Sequence, residues 1–176
     1  MIVHLYKFVD QLCGLVVNRL KQKKLPFIPT ISVVQYSDRI FFETYYTIIN
    51  SYSTRSKEIT ILETNSSDSE IGKTILKHLD LSKTIKKFTN QERKENEEYY
   101  KKSTGLRSIK AQMKDSLYVH VKRQNNQITF SPTINGGTAG NRKGYNFLSG
   151  EEIVIANNED FESIGKALKS ALKKCS

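Results

Sequence analysis

Apolar and polar positions alternate along this chain with two different periods. Ile2, Leu5, Val9, Leu12, Val16 and Leu20 recur at helical spacing, which predicts an amphipathic helix over residues 1–24. "LPFIPT" follows, where Pro26 and Pro29 impose an extended path. "ISVVQY" (31–36) and "RIFFETYYTIIN" (39–50) are β-branched and aromatic and read as strands. Tyr45, Tyr46 and Tyr52 are then expected as half-buried sheet residues, with a base-stacking platform as the alternative. Further on, "SLYVHVKR" alternates, "QNNQ" turns and "ITFSPT" returns, a β-hairpin over 116–133. Pro132 has no N–H to give a ladder, so an edge or a strand end is expected there.

Between these strands the period changes to that of a helix, and the chain repeats itself. "ITILETNSSDSEIGKTILKHL" (59–79) aligns without a gap on "EIVIANNEDFESIGKALKSAL" (152–172). Each copy reads as an apolar strand, a polar turn and a helix opening on Ile-Gly-Lys. The first copy contains Gly72-Lys73-Thr74, the end of a phosphate-binding loop. Position 67, where that loop needs its first glycine, is Ser67, and the second copy has Ala167 in place of Thr74. A nucleotide loop is therefore rejected. Gly72 and Gly165 are read as architectural, each letting its helix approach a sheet closely.

The stretch 81–105 is charged and helical by propensity, with Asn90 as the expected N-cap and Gly105 as the stop. Its Glu92-Arg93-Lys94 resembles a nuclease Glu-x-Lys only superficially, because on a helix Glu92 and Lys94 point to different faces. "NGGTAGNRKGYN" (135–146) could cradle an anion around Arg142 and Lys143, but reads first as a connector.

Charge sharpens the picture. The 176 residues carry a formal net charge of +10, and residues 83–123 hold twelve Lys or Arg against five Asp or Glu. Such a balance points to an acidic or polyanionic partner. Arg19, Lys21, Lys23 and Lys24 are read as a solvated helix end, and no stretch is apolar enough to span a membrane. Cys13 and Cys175, at opposite ends, give no zinc spacing or disulfide framework, and a reducing compartment is the default. His4, His78 and His120 are scattered; His120 reads as a sheet histidine before a general base. The expectation is one domain over residues 1–176, without cofactor, metal or catalytic constellation.

From residue 58 onward, "SEIGKTILKHLDLS", "TGLRSIKAQMKDSLYVHV", "ITFSPTING" and "FESIGKALKSAL" follow one another in an order that resembles the immunity proteins of bacterial contact-dependent growth inhibition systems. The resemblance implies an α/β (α+β) fold, a central, mainly antiparallel sheet flanked by helices and containing the two strand-turn-helix repeats. It further implies a protein that binds and neutralises a cognate toxin domain in the cytoplasm of the producing cell, as a monomer in a one-to-one complex. Some members of that family extend their sheet with a strand from the toxin. Here an edge hairpin at 116–133 would serve, with Tyr118, His120, Lys122 and Arg123 as contacts and Arg142 and Lys143 as rim charges. Ser131, Pro132 and Thr133 are expected to define the fold. A basic inhibitor departs from what a nucleic-acid-cleaving toxin would favour. The alternative reading is a nucleic-acid-binding module using the central basic region, although no recognition helix, RNP motif or GXXG clamp is present.

Overall fold

The structure, a computed structural model, describes residues 27–176, so the predicted N-terminal helix and Cys13 lie outside the described residues. β1 (Thr30–Gln35), β2 (Arg39–Ile48) and β3 (Ser53–Glu63) run antiparallel. Then come α1 (Asp68–Leu81), the short β4 (Lys83–Ile85), α2 (Asn90–Thr104) and α3 (Ile109–Met113). β5 (Leu117–Gln124) and β6 (Gln127–Asn135) form the predicted hairpin, turning through Asn125 and Asn126 at φ of 52° and 60°. β7 (Tyr145–Phe147), β8 (Ile153–Ala156) and α4 (Phe161–Leu172) complete the chain. The sheet runs β3-β2-β1-β5-β6, with β8 and β7 sharing the outer side of β6, and among the described residues only β4 pairs in parallel, beside β2. This is the expected α+β architecture.

The hairpin is not at an edge. β1 pairs with β5 from Thr30↔Lys122 to Gln35↔Leu117, so both hairpin strands have neighbours on each side. Pro132 is nevertheless accommodated in this interior strand. It faces Val119 on one side and falls between the β8 ladder, which ends at Phe130, and the β7 ladder, which begins at Thr133. The missing N–H costs nothing in that gap, and the Pro132 carbonyl accepts from Leu148 N at 3.0 Å.

Strand alternation sends Ile31, Val33, Ile40, Phe42, Val119, Val121, Ile128 and Phe130 to one face. There they bury against Ile71, Ile75 and Leu79 of α1 and Ile164 and Leu168 of α4. The repeat explains how these two helices meet. A Cβ on Gly72 would lie 1.9 Å from the Phe161 carbonyl oxygen, and one on Gly165 would lie 2.0 Å from that of Asp68. Asp68 and Phe161 are themselves equivalent positions in the repeat, so each helix seats its glycine on the first residue of the other. The expectation of helix-on-sheet contact is thus corrected: the glycines serve a crossing between helices. Both N-caps match as well, with Ser67 Oγ accepting from Glu70 N and Asp160 Oδ1 from Ser163 N.

The other long helix begins one residue earlier than the sequence suggested. Thr89 is the N-cap of α2: its Oγ1 accepts from Glu92 N at 3.2 Å, and Glu92 Oε2 accepts from Thr89 N at 2.7 Å. This capping box occupies Glu92 and leaves Asn90 as the first helical residue. Gly105, at φ 76°, ends the helix as expected.

Candidate functional site

The opposite face of the sheet is built differently. Ser32, Val34, Phe41, Glu43, Tyr45, Tyr118 and His120 point to it by alternation, and α2 and α3 lean over it through Tyr100, Gln112 and Met113. In the middle sits Glu43, only 1 % exposed. Its Oε2 accepts from Ser32 Oγ at 2.9 Å and pairs with Arg55 Nε at 3.1 Å. The Arg55 guanidinium lies over the Tyr100 ring, 3.8 Å from its centroid. Arg55 reaches Glu43 because the β2–β3 register shifts between Glu43 and Tyr45. A bulge of this kind re-aims a side chain. A buried acid without such a partner would be strongly destabilising.

These residues line a cavity of about 430 Å³, walled by Tyr36, Tyr45, Tyr100, Tyr118 and Tyr145. Tyr118 and Tyr145 stack with ring centroids 4.4 Å apart. Tyr36 Oη donates to the Gln112 carbonyl at 2.6 Å, and Tyr145 Oη bonds Ser116 Oγ at 2.7 Å, which fastens α3 and β7 to the sheet. Burial raises the pKa of all five phenols, and the Glu43 charge adds to the rise in each. They remain neutral, donor-bearing walls across the physiological range. For Arg55, burial opposes the charge, but Glu43 and then Tyr45 and Tyr100 outweigh it and raise its pKa.

Beside the cavity the register lays out an open surface. Lys122, Thr129 and Val154 are neighbours across β5, β6 and β8; His120 pairs with Ser131; Thr133 pairs with Phe147. Phe147 is 58 % and Val154 50 % exposed, and Phe147 meets the His120 ring edge-on at 5.7 Å. Burial, then the nearby Lys122, lowers the His120 pKa. Exposed apolar side chains rimmed by polar ones are what a protein-binding surface needs.

Of the residues singled out from sequence, Tyr118, His120 and Lys122 come together on this face. Arg123 points to the other one, where its Nη2 meets Asp80 Oδ1 of α1 at 2.7 Å. Arg142 and Lys143 are exposed in the loop before β7. That loop closes on itself, with Gly136 N bonded to Gly144 O at 2.9 Å and Gly144 N to Gly137 O at 2.8 Å. Ser131 and Thr133 flank the buried Pro132 in β6, and Thr133 Oγ1 donates to the Tyr118 carbonyl. Tyr45 and Tyr46 are half-buried, as expected of sheet residues, while Tyr52 is 52 % exposed. Glu43 and Arg55 escaped the sequence reading. A lone carboxylate inside "RIFFETYYTI" was the available signal, since a charge in an apolar strand calls for a buried partner.

Among the described residues there is no metal-binding cluster of His, Cys, Asp and Glu, and no helix long and apolar enough to cross a membrane. The molecule is a sheet backed by α1 and α4 on one side and presenting a mixed polar and aromatic face on the other. The sequence model of the CDI immunity proteins matches residues 30–175, and the chain belongs to that family. Its function is to bind and neutralise a contact-dependent growth inhibition toxin. The fold is similar to that of a CdiA-CT/CdiI toxin and immunity complex from Yersinia pseudotuberculosis, with a TM-score of 0.71 and 17% identity over 88% of this chain and 100% of that one. It is also similar to a protein of unknown function from Neisseria meningitidis, with a TM-score of 0.69 and 15% identity over 86% of this chain and 100% of that one. No match is found among curated proteins.

Proposed function

We propose that this immunity protein engages its toxin through the sheet face opposite α1 and α4, in the cytoplasm of the producing cell, as one folded domain forming a one-to-one complex. It acts by binding alone, without cofactor or chemistry of its own. The observation that carries this reading is the cross-strand surface of His120, Lys122, Thr129, Ser131, Phe147 and Val154, where two apolar side chains stand half-exposed or more on a single face. Tyr118 supports it from beneath and Lys143 from the adjoining loop, while Arg123, held by Asp80, acts on the fold and not on the toxin.

The place for strand addition by the toxin is β3. Asn96 Nδ2 donates to the Arg55 carbonyl at 2.8 Å and Glu95 pairs with Lys57, so α2 lies along the first half of β3. Ile59–Glu63 has β2 on one side and no paired strand on the other among the described residues. That free edge favours sheet extension there.

The test is titration of the cognate toxin domain against Phe147→Lys and Val154→Lys. Both side chains are exposed, so the fold should survive each change. Affinity is expected to fall at least tenfold for each. Unchanged affinity for both variants would remove this face from the interface.

A further inference from the structure

The cavity beside this surface contains an unanswered acceptor. Glu43 Oε2 is taken by Ser32 and Arg55, while Glu43 Oε1 is buried without a well-formed hydrogen bond, although the Tyr100 phenol approaches the same carboxylate. A buried carboxylate oxygen left open is costly, and Glu43 lines a space far larger than one water needs, about 430 Å³. Resting on the proposal that this face meets the toxin, we propose that the cavity receives the side chain of a single lysine or arginine of the toxin, carried on a segment with acidic flanks.

The donor set selects that chemistry. An open carboxylate oxygen asks for an N–H donor, and a cation gives the stronger bond. Phenol rings line the walls, and their faces attract cations; Arg55 over Tyr100 shows that the site already holds one guanidinium in this way. An anion would meet Glu43, and the Arg55 charge that could offset it is already committed to Glu43. The acidic flanks follow from the surroundings. Residues 86–114, which include α2 and α3 over this face, hold nine Lys or Arg against four Asp or Glu. A broadly basic partner would be repelled there, whereas one cation set in an acidic surface satisfies both the cavity and its rim.

The experiment titrates the full chain with ethylguanidinium chloride, and separately with sodium acetate, following amide and tyrosine ring signals by NMR. Saturable shifts confined to cavity residues are expected with ethylguanidinium and not with acetate. They should be lost in Glu43→Gln and in Ile109→Trp. Ile109 lines the cavity yet is 70 % exposed, so tryptophan there can block the space without disturbing the core, which keeps the test valid should Glu43→Gln fail to fold. Ile109→Trp should also weaken the toxin complex at least tenfold. No saturable shift with ethylguanidinium, or saturation by acetate instead, overturns the proposal; so does an Ile109→Trp protein that binds toxin as tightly as the parent. Failure of the parent itself to bind toxin would sink the interface reading of this face, and the occupant proposed here with it. The ethylguanidinium titration, run without toxin, would separately show whether the cavity accepts a cation.

Discussion

At the scale of single residues, the two repeat glycines and one histidine carry the helix-bearing layer. Replacing Gly72 by alanine adds a Cβ that the Phe161 carbonyl already excludes, and replacing Gly165 does the same against Asp68. Both obstacles are backbone, so the helices must separate. Although alanine is the better helix former by about 1 kcal/mol, overpacking at a rigid contact should leave a net loss of about 2 kcal/mol for each variant in urea unfolding. Because both glycines serve one crossing, the double variant should lose less than the sum. Additive losses would mean that the two contacts are independent. His78 is the other case. It is 1 % exposed, with Nδ1 2.8 Å from Thr44 Oγ1 and Nε2 2.8 Å from Thr60 Oγ1. Burial, then Lys77, lowers its pKa to about 4. The unfolded chain therefore binds a proton that the folded one refuses between the ordinary histidine value and about 4. Stability is fully present above about pH 6.5 and declines as pH falls toward 4, by about 3 kcal/mol across the window. His78→Gln should flatten this part of the stability–pH curve, measured by urea unfolding at a series of pH values; an unchanged slope would assign the acid sensitivity elsewhere.

At the scale of elements, α2 is weakly anchored for its length, with only Tyr100 and Thr104 buried among its 15 residues. Its start depends on the Thr89–Glu92 capping box, and Thr89→Ala should cost about 1 kcal/mol. Since α2 holds Tyr100 under Arg55 and Asn96 on β3, amide exchange should quicken in α2 and at Arg55 before it does in α1. Uniform acceleration through the sheet would contradict that ordering. How much of this was legible in the sequence follows from distance along the chain. The β5–β6 hairpin was readable because its turn is local and its two asparagines tolerate positive φ. The strand-turn-helix repeat was readable because it is written twice. Strand order was not, because the insertion of β1 between β2 and β5 depends on pairings across most of the described chain. That insertion turned an expected edge into the interior. The Glu43–Arg55 pair stayed hidden for a similar reason: it requires the bulge in β2–β3, which no local pattern announces. The three-residue β4 is too short to show any period.

At the scale of the whole molecule, the distribution of charge decides how a partner is found. The net charge is +10, and α3, carrying Lys110 and followed by Lys114, lies on the same side as the exposed Phe147 and the tyrosine-walled cavity. Charge spread around an interface acts mainly on the rate of encounter, whereas buried contacts govern dissociation. Lys110 and Lys114 make the sharpest test, being exposed at and just after α3, next to the cavity. Reversing both to glutamate should slow association with the toxin about fivefold at low salt and leave dissociation nearly unchanged, as stopped-flow mixing would read directly. Raising the ionic strength from about 0.05 to 0.5 M shortens the screening length to a few ångströms. The difference between parent and variant should then close. The same series separates the two partners that a basic chain invites. A protein toxin should show a modest salt dependence lying mostly in the association rate. A nucleic acid, by contrast, releases condensed counterions, and its affinity falls steeply and linearly with the logarithm of salt. If oligonucleotides bind with that slope and compete with the toxin for Lys110 and Lys114, the basic surface serves a polyanion as well. If association with the toxin ignores both salt and the reversals, the charge has no part in recognition, and Phe147, Val154 and the cavity must account for it alone.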